Sequence, residues 1–156
     1  MAKTFKGIAQ GLDLPPMVWL SDDFAAAPQP GIESLAALAE AGFRSILCNR
    51  PDEEVAPSEN SAAMAAAAEA VGLGFAAIPV SHAPITPAMI AAQARAMDDL
   101  PGPYFAYCRA GFRSSVIWAL TQAGRRPTSE IVGALERAGF ALPGLRVQIE
   151  ALAAGR

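Results

Sequence analysis

Histidine and cysteine are almost missing from this chain of 156 residues, which has one histidine, His82, and two cysteines, Cys48 and Cys108. So few imidazoles and thiols exclude a Cys/His zinc cluster, and two cysteines make no disulfide framework of the kind that staples small secreted domains. Basic tracts are missing as well, and no aromatic residues are interleaved with basic ones. That removes the backbone neutralisation and base stacking on which nucleic-acid binding rests. No apolar run reaches membrane-spanning length, since the alanine-rich stretch from Ser61 to Val71 is too short and carries Glu69. The opening MAKTFKGIAQGLDLPP has two lysines but no continuous apolar segment after them, so no secretory leader is expected and the cytoplasm is the default location. Internal repeats and low-complexity linkers are absent too.

What is present is apolar residues at 53%, charged residues at only 17%, and a formal net charge of -3, the composition of an ordinary globular protein. A chain of this length can bury one real core and is too short for two domains of ordinary size, so a single domain over residues 1–156 is expected. The mild acidity implies no partner, and nothing implies a metal or cofactor.

Strand and helix signals alternate. Met17 to Leu20 and Phe24 to Ala27 read as short strands around the polar turn Ser21-Asp22-Asp23. Pro30-Gly31 opens a helix from Ile32 to Ala41, stopped by Gly42, and Arg44 to Cys48 reads as a buried strand. After the turn-like Asn49-Arg50-Pro51-Asp52, a helix is expected from about Ser58 to Val71, then a strand from Phe75 to Val80. Thr86-Pro87 is an N-cap followed by proline at the first helical position, which starts a helix reaching about Leu100. Pro101-Gly102-Pro103 ends it, and Tyr104 to Tyr107 follows as a buried strand. The remainder reads as helical: Ser115 to Ala123, Thr128 to Ala138 with Thr128 as its cap, and Leu142 to Ala153. Such alternation predicts an α/β fold, a mostly parallel central sheet flanked by helices, which binds ligands beyond the C-terminal ends of its strands. Cys108 and the Asn49 to Glu54 turn both fall at such ends.

The chemistry concentrates in Tyr107 to Ser115, YCRAGFRSS, at a strand-to-helix turn. A helix N-terminus aims several backbone N–H groups at one place and adds roughly half a positive charge there, which makes an anion site. Gly111 permits a tight turn, and Arg113 supplies a planar cation able to grip an oxyanion through two hydrogen bonds. A thiol among such donors is favoured as thiolate, so Cys108 is the candidate nucleophile, with Ser114 or Ser115 placed to donate to its sulfur. Cysteine is also among the most commonly buried residues, and packing suffices to explain Cys48, within SILCN. Packing alone does not require the glycine, the arginine and the serine that follow Cys108.

Cys108-Arg109-Ala110-Gly111-Phe112-Arg113-Ser114, preceded by GFRSILCNRPDEE and GFAAIPV, resembles the phosphatase-like domain of the beta-lactamase-hydrolase-like proteins. That family is related to the dual-specificity and protein-tyrosine-phosphatase-like cysteine phosphatases, and the resemblance runs from about Gln29 to Gly124. It implies the cysteine-phosphatase-like fold, with Cys108 forming a phosphocysteine and Arg113 clamping the phosphate of a phosphorylated or other oxyanion substrate. One departure is plain: four residues separate Cys108 from Arg113, one fewer than in the usual cysteine-phosphatase loop. A loop of this length, C-R-x-G-x-R, is similar to that of rhodanese-type sulfurtransferases, where the cysteine carries a persulfide. The GHI-x-GA segment and downstream glycine-paired strand of a rhodanese are absent, and the chain is helical after Arg113. The chain therefore reads as a phosphatase-like scaffold holding a shortened loop, with phosphoester hydrolysis ahead of sulfur transfer and non-catalytic oxyanion binding as a further alternative.

Cysteine phosphatases protonate the leaving oxygen with an aspartate from a neighbouring loop, a contribution of roughly a hundredfold to ten-thousandfold. The loop after Phe75 to Val80 offers Ser81-His82 instead, so His82 is either that acid or a surface histidine at a strand end. Asp52 is the other candidate; otherwise it caps its own turn. Arg50 either widens the positive field or pairs with Glu53 or Glu54. Arg109 is expected to face substrate or solvent, with the loop residues Ala110 and Gly111 lining the anion site. Phe112 reads as a pocket lip and Trp118 as core. If Cys48 lay close to Cys108, it could trap an oxidised nucleophile as a disulfide. The apolar face of the last helix, Leu142, Leu145, Ile149 and Leu152, reads as core packing.

Overall fold

In the computed structural model the described residues are 14–82 and 84–156, so the opening segment read for a leader lies outside them up to residue 13. Strands β1 (Val18–Ser21) and β2 (Phe24–Ala27) form an antiparallel hairpin. Its turn is tied locally: the Ser21 hydroxyl donates to Asp23 Oδ1 at 2.8 Å and the Asp23 N–H donates back to Ser21 Oγ at 3.4 Å. β3 (Ser45–Cys48), β4 (Gly74–Ala77) and β5 (Tyr104–Tyr107) complete one sheet in the order β1-β2-β5-β3-β4, parallel from β2 onward. The α/β reading of the sequence is thus the observed fold, with β5 at the centre.

Alternation of side chains across the strands divides the core between the two faces. Phe105 and Tyr107 of β5 join Ile46 and Cys48 of β3 against α1 (Leu35–Ala41) and α2 (Ser61–Ala70), where Leu35, Leu38, Met64 and Ala68 are buried. On the other face Tyr104, Ala106, Phe24 and Leu47 meet α3 (Pro87–Asp99), α4 (Phe112–Gln122), α5 (Thr128–Arg137) and α6 (Pro143–Ala154). Trp118 of α4 is fully buried there, and Leu145 and Ile149 of α6 pack into the same cluster. Each of the larger side chains contributes roughly 1.5–3 kcal/mol on burial, so both faces are needed to hold the sheet in place.

Boundaries move for local reasons. The expected helix from Ser58 divides, because Pro57–Glu59 forms a separate 3-10 turn and Asn60 is extended at ψ 172°. Asn60 then caps α2, its Oδ1 accepting from the Ala63 N–H at 2.9 Å. Thr86 caps α3 in the same way, accepting from the Met89 N–H at 3.2 Å. β4 ends at Ala77, three residues before the expected Val80, yet Ile78 and Val80 still donate backbone hydrogen bonds to Cys48 and Asn49 at 2.9 and 2.8 Å. α4 begins at Phe112 rather than Ser115, because Gly111, at φ +89°, turns the chain straight into the helix. Pro127 takes the cap position of α5 that Thr128 was expected to fill. Among the described residues no helix is long and apolar enough to cross a membrane.

Candidate active site

Parallel pairing of β3 and β5 sets Cys48 opposite Tyr107, so the turns leaving both strands emerge side by side. The ladder continues past them: the Asn49 N–H donates to the Tyr107 carbonyl at 2.8 Å, and the Cys108 N–H donates to the Ala27 carbonyl at 3.2 Å. Ala110 makes an isolated bridge with Pro28, which pins the loop to the end of β2. The chain then reverses at Gly111, in the left-handed region that a side chain would strain. This reversal aims the Gly111 N–H at the sulfur of Cys108, to which it donates at 3.1 Å.

Cys108 is 1% exposed and forms part of the floor of a cavity of about 380 Å³. His82, Pro84 and Ile85 line it together with Arg109, Phe112, Arg113 and Val116. Of the loop residues singled out in the sequence, Cys108, Arg109, Ala110, Phe112 and Arg113 line this concave site with His82, whereas Gly111, Ser114 and Ser115 do not. Arg109 and Ala110 are exposed beside it, and Phe112 is held edge-on against Phe140, with ring centroids 5.6 Å apart.

Arg113 is the most constrained member. Its Nη1 donates to Glu54 Oε2 at 2.8 Å and to the Val80 carbonyl at 2.6 Å, while Nη2 donates to Glu54 Oε1 at 2.7 Å. Such a bidentate fork fixes the guanidinium plane as well as its charge. Arg50 lies behind the same carboxylate, donating from Nε to Glu54 Oε1 at 3.4 Å and from Nη2 to the Glu54 carbonyl at 3.1 Å. The Arg113 guanidinium holds the Glu54 carboxyl below its ordinary pKa, and Glu54 in return raises that of Arg113. Sequence reasoning placed Glu54 only as a possible partner of Arg50 and missed its grip on Arg113.

A second arrangement missed in the sequence lies under the loop. Ser114 does not donate to sulfur; its hydroxyl donates to Asn49 Oδ1 at 2.9 Å, and Asn49 Nδ2 donates to the Ile78 carbonyl at 3.0 Å and to Gln93 Oε1 at 2.9 Å. All three side chains are buried, and their hydrogen bonds tie the end of β3, α3 and α4 together, with Gln93 Nε2 left buried without a partner. Ser115 also turns away from sulfur, donating to the Gly111 carbonyl at 2.7 Å. The residue that donates to sulfur is the glycine, through its backbone.

One further expectation is corrected, and Cys48 packs as expected. Asp52 is absent from the cavity: its carboxylate accepts from the Ser61 N–H and hydroxyl at 2.8 and 3.0 Å, capping the start of α2. Cys48 packs on the α1–α2 face, among Leu35, Leu38 and Met64, whereas Cys108 opens to the cavity beside Val116 and Leu120. Burial pushes the Cys48 thiol pKa up, and its Sγ–H donates to the Arg50 carbonyl at 3.5 Å. Both cysteines are free thiols; Cys48 pairs in register with Tyr107, the neighbour of Cys108, and strand alternation turns the two thiols to opposite faces of the sheet.

Comparison with known proteins locates this arrangement in a family. The family model for the phosphatase-like domain of beta-lactamase hydrolase-like proteins matches residues 17–125, the whole sheet and the Cys108 loop. The chain belongs to that family. Beta-lactamase hydrolase-like proteins of Agrobacterium fabrum and Xylella fastidiosa are 35% and 31% identical over 127 and 128 residues, covering 80% and 81% of this chain. The chain spans about 30% of the length of these relatives. Among solved structures, a protein of Neisseria meningitidis Z2491 described as a candidate phosphatase is 28% identical, with TM-score 0.71, over 86% of this chain and 96% of that one. The catalytic core of the PP-IP phosphatase SIW14 of S. cerevisiae shares the fold at 17% identity and TM-score 0.65, over 90% of this chain and 87% of that one. This is a phosphatase-like domain of the cysteine-phosphatase fold.

Proposed function

We propose that the chain is a cysteine-dependent phosphatase-like hydrolase. The observation that carries the reading is the Cys108 sulfur at the floor of a cavity, with the Gly111 N–H on it and the Arg113 guanidinium fixed beside it. In the first step the Cys108 thiolate attacks phosphorus; a P–S bond forms and the bond to the ester oxygen breaks. The first-turn N–H groups of α4, which have no intrahelical acceptors, stabilise charge on the non-bridging oxygens. Water then attacks the phosphocysteine, releasing phosphate and restoring the thiolate.

The departing oxygen needs a proton, and His82, exposed on the cavity wall, is the group assigned to supply it. No carboxylate is among the described residues lining the cavity, so turnover is expected to favour esters whose alcohols leave easily. Arg109, Ala110, Gly111 and Phe112 shape the oxyanion site, while Arg50 acts behind Glu54. The reading implies a reducing compartment such as the cytoplasm, where a working thiol stays reduced.

A second reading, sulfur transfer, is favoured by that missing carboxylate together with the short loop. When the Cys108 thiolate attacks the outer sulfur of thiosulfate, sulfite leaves with its electron pair and needs no proton; cyanide or a thiol then accepts the sulfur from the persulfide. Aryl-phosphate hydrolysis and thiosulfate:cyanide transfer measured side by side separate the two. Phosphate release abolished in Cys108→Ser supports the hydrolase; thiocyanate formation without phosphate release replaces it with the transferase. Phosphate binding retained by Cys108→Ser, with neither turnover in the parent, leaves an oxyanion-binding module.

A further inference from the structure

The cavity over Cys108 does not end at Phe112. A second hollow of about 340 Å³ lies between α4 and α6, and Phe112, Val116 and Gln148 line both. Leu142, Pro143 and Leu145 complete its floor, so an apolar shelf continues from the reactive sulfur along the start of α6. Phe112 is 43% exposed at the junction and is kept there by its edge contact with Phe140. An exposed aromatic held between two hollows is a wall that a ligand can share.

Charge around the site points the same way. The cationic side chains lining the Cys108 cavity, besides the titratable His82, are Arg109 and Arg113, and Arg113 is already forked onto Glu54. Lys3 and Lys6, outside the described residues, are the chain's only lysines. Arg146, on α6, is paired with Glu150 at 3.4 Å. A ligand with several phosphates would meet too few cations here, whereas a single oxyanion with an apolar body would bury that body against five apolar side chains.

Resting on the oxyanion reading of the Cys108 site, we propose that its substrate is an amphiphilic phosphate monoester, one headgroup on an apolar chain that leaves the Cys108 chamber past Phe112 and lies on the α4–α6 shelf. On this ground multiply phosphorylated compounds are expected to be poorer substrates than a monoester with an apolar body. The shelf also supplies binding energy at a distance from the reacting phosphorus, where it can orient a poorly activated ester.

The test uses non-hydrolysable probes on the intact chain: methyl-, butyl- and octylphosphonate, each below its micelle concentration, protecting Cys108 from iodoacetamide, with peptide mass spectrometry separating Cys108 from Cys48. Each buried methylene is worth about fourfold in affinity, so half-burial of the four methylenes between butyl and octyl should tighten protection roughly fifteenfold. Pro143→Asp, an exposed change at the first position of α6 where an acidic residue suits the helix, should lower the octyl-to-methyl ratio several-fold; Gln148→Leu should raise it. Protection by methylphosphonate with octylphosphonate no tighter overturns the shelf and leaves the oxyanion site standing. Protection by none of the three overturns the oxyanion reading, and the substrate class falls with it. A length dependence that neither variant alters places the chain elsewhere and also overturns the proposal.

Discussion

Removing the Glu54 carboxylate tests how the site is held. Arg113 has a side chain only 9% exposed and Glu54 one 22% exposed, and the two share hydrogen bonds of 2.8 and 2.7 Å. Glu54→Ala leaves a nearly buried guanidinium with the Val80 carbonyl and the Cys108 sulfur as its neighbours. Breaking a fully buried ion pair costs about 3–5 kcal/mol, and the partial exposure of Glu54 reduces this to about 2–4 kcal/mol. For a domain of this size that corresponds to a fall in melting temperature of roughly 5–15 °C. Glu54→Gln keeps an acceptor oxygen but not the charge and should lie between parent and Ala.

The pH dependence carries a sign. Arg113 lowers the Glu54 pKa below its ordinary 4.5, so the folded state holds this carboxylate ionised more strongly than the unfolded chain does. The resulting stabilisation is fully present above the unfolded pKa and is lost as pH falls through the folded one. The stability gap between the parent and Glu54→Gln, from urea unfolding at a series of pH values, should therefore be widest near neutrality and narrow as pH falls below the unfolded pKa of about 4.5. Because both proteins share every other carboxylate, the difference isolates this one. A gap of the same size at pH 7 and pH 3, or none at pH 7, would refute the argument that the ion pair holds the loop.

Other outcomes follow from single contacts. Gly111→Ala introduces a Cβ that has room, 3.4 Å from the nearest atom of Ala27, but at φ +89°. The strain of about 1–2 kcal/mol should shift the backbone and move the Gly111 N–H off sulfur, so the rate of Cys108 alkylation should fall more than urea stability does; an unchanged rate would show the N–H to be idle. Peroxide treatment should give sulfenic acid on Cys108 without a Cys48–Cys108 crosslink, since the two thiols belong to different sides of the sheet; detection of that disulfide by mass spectrometry would contradict the packing.

The fold was legible wherever pattern and turn chemistry agreed. Phe24–Ala27 and Tyr104–Tyr107 match their expected bounds because each is a short apolar run between strong breakers. Thr86-Pro87 marked α3 for an equally local reason, the threonine cap seen in the structure. Choices among neighbours in a turn were not legible. Asp52 and Glu54 occupy one 3-10 turn after β3, and the direction each side chain takes decides that Asp52 caps α2 while Glu54 reaches Arg113, 59 residues away in sequence. Asn49 and Gln93 escaped notice because a buried amide network leaves no periodic trace. The sign that could have found Glu54 was its place in the same turn as Arg50, beyond a strand end that the sheet sets beside Cys108.

The Glu54–Arg113 fork also bears on what the loop can bind. In an open site the guanidinium would present a full charge to an incoming oxyanion; here a carboxylate cancels much of it before any ligand arrives. Because Arg50 shares that carboxylate, the Arg50–Glu54–Arg113 cluster keeps one net positive charge, to which the start of α4 adds roughly half a unit and the exposed Arg109 its own. On the proposed reading, an oxyanion meets a charge already spread over this ion-paired cluster, and apolar surface beside the oxyanion site adds to the affinity. The apolar walls from Ile85 across Val116 to Leu142 are the surface available next to the sulfur. On the proposed reading, the carboxylate fixes the geometry of Arg113 while the apolar body of the ligand adds binding energy on the α4–α6 shelf.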